Sequence, residues 1–142
     1  MRIRFKKWAR PELEASKFYI DNPEEYKGKW ETLFKNKAPI HLELGCGKGG
    51  FISQIAPKNL NRNYIAIDLV DAMLGLAKRK IEESYKEIKQ KPENIYITRY
   101  DIDRILNIFS PEDKIGRIYI NFCNPWPRGK HHKKRLTHTR QL

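Results

Sequence analysis

Two strings in the chain carry residues whose types and spacing can do chemistry. The first is Glu43-Leu-Gly45-Cys-Gly47-Lys-Gly49-Gly50, which follows one short apolar run and precedes another. Glycines at such a handover let the backbone turn sharply and let a ligand come close to the main chain. Gly45, Gly47 and Gly50 fit the spacing of a dinucleotide-binding loop, but the carboxylate of Glu43 at its lip repels a pyrophosphate and suits a cationic ligand. Asp68 stands 25 residues after Glu43 and closes the next apolar run. There a carboxylate can accept hydrogen bonds from both hydroxyls of a ribose. Asp101 follows the third run, where its side chain or backbone can meet an adenine amino group, and Asp103 beside it is the alternative. The second string spans residues 121–136, N-F-C-N-P-W-P-R-G-K-H-H-K-K-R-L. Pro125 and Pro127 fix the backbone around Trp126, a rigid platform on which a base can stack. Arg128, Lys130, His131, Lys133, Lys134 and Arg135 then offer phosphate contacts.

These residues need a scaffold that brings the ends of several apolar runs to one edge. The runs at 39–44, 63–68, 94–99 and 117–122 read as buried strands. Between them lie a short helix over 51–56 closed by Pro57, a long one over 71–90 and a helical turn over 102–109. In the long helix Ala72, Leu74, Leu76, Ala77, Ile81, Tyr85 and Ile88 share one face, and Pro92 stops it. Strand and helix alternating at this spacing predict a parallel α/β sheet. Ahead of it, residues 1–23 read as a basic, aromatic, extended arm. A helix is expected from the Asn22 cap, through Pro23, to about Phe34.

Composition narrows the partners. The 142 residues hold 29 Lys and Arg against 17 Asp and Glu, a net charge of +12. The first ten residues and residues 128–142 contain eleven of the bases and no acid, so an almost neutral body carries two basic ends. That pattern predicts a polyanionic partner, nucleic acid before an anionic membrane surface. No apolar run approaches the roughly 20 residues that span a bilayer, and no apolar stretch follows the basic N-terminus. The expectation is a cytoplasmic protein with reduced thiols at Cys46 and Cys123. Zinc is not expected at His131, His132, His138 and Cys123, because they match no paired-ligand spacing and sit in a run that repels a dication.

Glu43, Gly45, Gly47 and Gly49 also fit the E-x-G-x-G-x-G loop of S-adenosylmethionine-dependent methyltransferases. The string at 121–136 resembles the signature N-F-x-D-P-W-P-K-x-R-H-x-K-R-R-L of the bacterial tRNA (guanine-N7)-methyltransferase family. The stretch Asn-Pro-x-x-Tyr-Lys-Gly-Lys-Trp over 22–30 extends that similarity to nearly the whole chain. The resemblance implies a Rossmann-like class I methyltransferase sheet, of which the first four parallel strands are present. It implies one partial domain over 1–142, with a basic arm at 1–21 and a basic segment at 128–142. S-adenosyl-L-methionine is the implied cofactor and tRNA the implied partner, with methyl transfer to N7 of the variable-loop guanine. Glu43, Gly45, Gly47, Gly49, Asp68, Asp101 and Asn124 map onto cofactor-binding positions. Asn124 also maps onto the acid treated as catalytic, while Trp126, Arg128 and the bases after it fall on the substrate side.

Two departures from the family pattern stand out. Asn124 replaces its Asp, and an amide matches the paired donors of a guanine edge less well than a carboxylate, a loss of about 1.5–3 kcal/mol. The chain also stops at Leu142, directly after the fourth strand, where family members continue through further strands. The expectation is a fragment or shortened product with an open sheet edge at Ile118 and Ile120, weak cofactor binding and little activity. The alternatives are a catalytically impaired RNA-binding module and an exocyclic-amine methyltransferase using Asn124-Pro125-Trp126. A nicotinamide-dependent oxidoreductase is a further rival.

Overall fold

In the computed structural model, which describes residues 5–120, a single parallel sheet forms from apolar runs too short and too β-branched to be helices. Its strands are β1 (Tyr19–Ile20), β2 (Ile40–Leu44), β3 (Asn63–Asp68), β4 (Ile95–Arg99) and β5 (Ile115–Ile120), in the order β1-β4-β3-β2-β5. Every pairing is parallel. β3 is buried along nearly its whole length, as a strand covered on both faces must be. β5 pairs only with β2 among the described residues, and Ile118 and Ile120 remain half-buried, as expected of an edge.

Helices α1 (Ala9–Glu14), α2 (Ile52–Lys58) and α3 (Asp71–Glu87) complete the element order. α3 buries Ala72, Leu74, Ala77, Ile81 and Tyr85 of the predicted stripe, whereas Leu76 is half-buried and Ile88, at the cap beyond the last helical residue, is exposed. Leu74, Ala77, Ile81 and Tyr85 join Ile52, Ala56, Tyr64 and Ala66 in one core. The other core holds Leu42, Leu44, Ile65 and Ile67 against Trp30, Ile108 and Phe109. Trp30 is fully buried, donates its indole N–H to the Ile108 carbonyl at 2.6 Å and stacks on Phe109. Truncating such a side chain costs about 3–5 kcal/mol.

Four sequence expectations need correction. The arm is not extended: its residues form α1 and β1, and β1 adds a fifth strand by pairing Tyr19 with Ile97 and Ile20 with Thr98. The helix expected over 22–34 is two 3-10 turns, Pro23–Tyr26 and Trp30–Leu33, separated by Gly28 at φ 78°. Tertiary contacts override the helix signal here, because the buried Asp113 carboxylate accepts from the N–H groups of Gly28 (2.9 Å), Trp30 (3.1 Å) and Ser110 (2.8 Å). Asn22 does not cap the backbone; its side-chain amide donates to Glu25 at 2.7 Å. Pro57 lies inside α2 instead of closing it.

Candidate functional site

The core strand order β4-β3-β2-β5 reverses direction between β2 and β5. In open parallel sheets a crevice outside the carboxyl ends of the strands forms at such a switch point, and ligands bind there. The glycine string leaves β2 at this point. Gly45, Gly47 and Gly49 have φ of 80°, 55° and 84°, a region that residues with a Cβ seldom enter. The N–H groups of Gly45 and Cys46 both donate to the Ile67 carbonyl, at 2.8 and 3.0 Å, so the loop folds back over the end of β3.

The geometry distinguishes the two overlapping glycine patterns. A Cβ at Gly49 would lie 2.8 Å from the Cα and Cβ of Ala77 on α3, whereas one at Gly50 would meet nothing within 4 Å. A dinucleotide loop needs its third glycine for close packing at the position of Gly50. This backbone requires it at Gly49, as in the E-x-G-x-G-x-G pattern.

Asp68 holds the site together. Its carboxylate accepts from Gly47 N at 2.8 Å, and also from Leu69 N at 2.8 Å and Val70 N at 3.1 Å. A carboxylate has about four acceptor positions, so roughly one remains for a ligand hydroxyl. The Asp68 carbonyl also accepts from Tyr100 N at 3.1 Å, which ties the β3 loop to the β4 loop. In that loop Asp101 accepts from Asp103 N at 3.0 Å and caps the 3-10 turn Ile102–Asn107. Asp103 itself is exposed. Leu69 and Val70, 47% and 39% exposed, leave apolar surface beside Asp68.

Glu43 departs from its expected place. It sits on β2 opposite Ala66 and Tyr119 in register and is only 1% exposed, so it lies beneath the loop and not at its lip. Cys46 is buried inside the loop, consistent with the need for a small side chain. Asn124, Trp126, Arg128, Lys130, His131, Lys133, Lys134 and Arg135, together with the histidines and Cys123 weighed for zinc, lie outside the described residues. Among the described residues no group of side chains is arranged to hold a metal, and no helix is long and apolar enough to cross a membrane.

The sequence reading missed how the N-terminal segment attaches to this region. Arg10 reaches Asp71, three residues past Asp68, at 2.9 Å, and Arg99 at the end of β4 approaches the same carboxylate at 3.6 Å. Glu12 receives Lys78 at 3.1 Å and two bonds from Arg79, and the Arg79 guanidinium lies 3.5 Å from the ring centre of Trp8. The Arg79 hydrogen bonds, with help from Lys78, hold the Glu12 carboxyl down to about 2. Arg10 is therefore spent on an internal acid and not left for a polyanion. The one sequence signal was Gly75 in the middle of α3, where a Cβ would meet Trp8 at 2.9 Å and Ala9 at 3.1 Å.

The sequence is similar to those of known methyltransferases. A protein of Clostridium beijerinckii named tRNA (guanine-N(7)-)-methyltransferase is 57% identical over all 142 residues, which cover 65% of its own length. Proteins of the same name from Clostridium botulinum and Ruminiclostridium cellulolyticum are 58% and 57% identical, with 65% and 61% of their lengths covered. The chain thus spans less than two thirds of these relatives. A solved structure, described as that of an antibiotic-related methyltransferase, matches 93% of this chain and 53% of its own at 19% identity and a TM-score of 0.48. A family model described as a putative methyltransferase matches residues 37–142, from just before β2 to the final residue, and the chain belongs to that family.

Proposed function

We propose that this chain belongs to an S-adenosylmethionine-dependent tRNA (guanine-N7)-methyltransferase of the cytoplasm and carries its methyl-donor site. The observation that carries the reading is the glycine loop: Gly45, Gly47 and Gly49, not Gly50, are the glycines its backbone demands, and Asp68 is bonded to the middle one. The names of the 57–58% identical relatives support the reaction and the substrate.

The residues present fit such a donor. Gly45 and Gly47 lack the side chains that would keep a ligand off the main chain, and Asp68 has an acceptor position left for a ribose hydroxyl. Leu69 and Val70 offer apolar surface to an adenine ring, and the Asp101 loop is held beside them through Tyr100. Glu43 beneath the loop supplies negative charge toward an ammonium and a sulfonium. When bound, the donor supplies an electrophilic methyl group, which passes from sulfur to N7 as the S–C bond breaks and the N–C bond forms. Guanine N7 is a bare lone pair, so no proton must be removed and no general base is required. The work of the protein is to hold the base in line with the methyl group. For that task Trp126 would stack on the base, Asn124 would meet the guanine edge, and Arg128, Lys130, His131, Lys133, Lys134 and Arg135 would contact the RNA backbone.

Nucleoside mass spectrometry of unmodified tRNA incubated with the chain and labelled donor tests the reading. The little label that a chain spanning less than two thirds of its relatives incorporates is expected at guanine N7, and label on an exocyclic amine would overturn the reading. Tight RNA binding with no donor binding would favour the impaired RNA-binding module.

A further inference from the structure

A groove of about 900 Å³ opens at the amino edge of the sheet, on the side away from the glycine loop. Its walls come from three separate segments: the turn before β1, the end of α3 and the turn before β4. Phe18, Tyr85, Pro92 and Tyr96 contribute apolar surface, and five lysines and three glutamates line the rest. The charges do not cancel. Glu12 and Glu82 are held by Lys78, Glu12 also by Arg79, and Glu93 is held by Lys35 outside the groove. Lys17, Lys86, Lys89 and Lys91 are exposed, and none forms an ion pair among the described residues. Lys86 also sits in the last turn of α3, where a helix dipole favours cations. That accounts for one of the four but not for Lys17, Lys89 and Lys91, which lie outside the helix on the same rim.

We infer that this groove is a second nucleic-acid contact, at which the four lysines grip an RNA phosphate backbone independently of base sequence. The occupant follows from charge complementarity: four unopposed ammonium groups around one concavity match a chain of phosphates, and each contact releases counterions. The inference rests on the RNA reading above for its occupant, but it concerns the opposite edge of the sheet from the methyl-donor crevice.

Anisotropy titrations of the chain against a labelled, unmodified tRNA transcript over a range of salt test it. The triple variant Lys86→Glu, Lys89→Glu, Lys91→Glu is expected to bind at least tenfold more weakly, with a log K against log salt slope shallower by about 2–3. The triple Lys→Arg variant at the same positions is expected to bind like the parent chain. A control with the same charge change elsewhere, Lys37→Glu, Lys58→Glu, Lys80→Glu, should lose less than threefold. Unchanged slope in the groove variant, or equal loss in the control, would overturn the proposal. So would binding to phosphatidylserine vesicles that depends on these lysines while tRNA binding does not. If the parent chain binds tRNA through the groove yet places its label on an atom other than N7, the proposed reaction fails and the groove stands. If it binds no tRNA, both fail.

Discussion

The glycine loop and the N-terminal segment both dock on α3, and each does so through a glycine, but they are held by different forces. At Gly49 the loop itself gives up a side chain so that its backbone can lie against Ala77. At Gly75 the helix gives up a side chain so that Trp8 and Ala9 can lie against it. The loop is fixed by main-chain hydrogen bonds to Ile67 and Asp68. The N-terminal segment is fixed by side chains: Arg10 on Asp71, Glu12 on Lys78 and Arg79, and Trp8 beneath Arg79. Backbone-fixed structure cannot yield to an added methyl group, whereas side-chain-fixed structure can.

The sharpest test of that difference is Gly49→Ala. The new Cβ meets α3 backbone at 2.8 Å from a φ of 84°, so overpacking and left-handed strain combine to about 2–5 kcal/mol. Chemical denaturation should show that loss, together with loss of donor binding. Next comes Asp68→Asn, which turns a carboxylate bonded to Gly47 N into an amide and removes charge-assisted acceptors. Donor affinity should fall tenfold or more, about 1.4 kcal/mol or above, by calorimetry. Gly75→Ala is expected to cost less, about 1 kcal/mol or under. Its nearest contact is the end of the Trp8 ring, which can swing away, and alanine restores roughly 0.5–1 kcal/mol of helix propensity. A Gly75→Ala loss equal to that of Gly49→Ala would break the comparison.

The smallest expected effect is a pH dependence. The carboxyl of Glu12 titrates near 2 when docked, below its ordinary value of 4.5, so the folded state holds the proton less tightly than the unfolded one. Its stabilising contribution is complete above about 4.5 and is lost as pH falls toward 2. The indole NMR signal of Trp8 should therefore move toward its free position over that window. A Trp8 signal unchanged down to pH 2 would contradict the role given to Glu12.

The same contrast explains what the sequence disclosed. The loop was legible because its requirements are local: an apolar run, glycines at fixed offsets and an acid at the end of the next run. Even the choice between the two glycine patterns needed only one tertiary fact, the approach of Ala77. The N-terminal segment was not legible. α1 has six residues and β1 two, too short to show a period, and they exist because α3 and β4 receive them. The turns at 23–33 carried a helix signal that Asp113, some 80 residues away, overrides by taking the N–H groups of Gly28 and Trp30. Glu43 was identified as a site residue on its spacing, but its burial beneath the loop depends on the sheet register and is invisible in the string. The charge reading changes in the same way: the basic N-terminus is partly neutralised internally through Arg10, and unopposed lysines gather at the amino edge from segments that looked neutral.

The central claim, that the crevice at Gly45–Gly49 and Asp68 receives a sulfonium methyl donor, is tested most directly by titration calorimetry of S-adenosylmethionine into the chain, with NAD titrated in parallel. One S-adenosylmethionine should bind per chain, at least tenfold more weakly in Asp68→Asn, and NAD should give no heat. Binding of NAD, or of S-adenosylmethionine with undiminished affinity in Asp68→Asn, would contradict it.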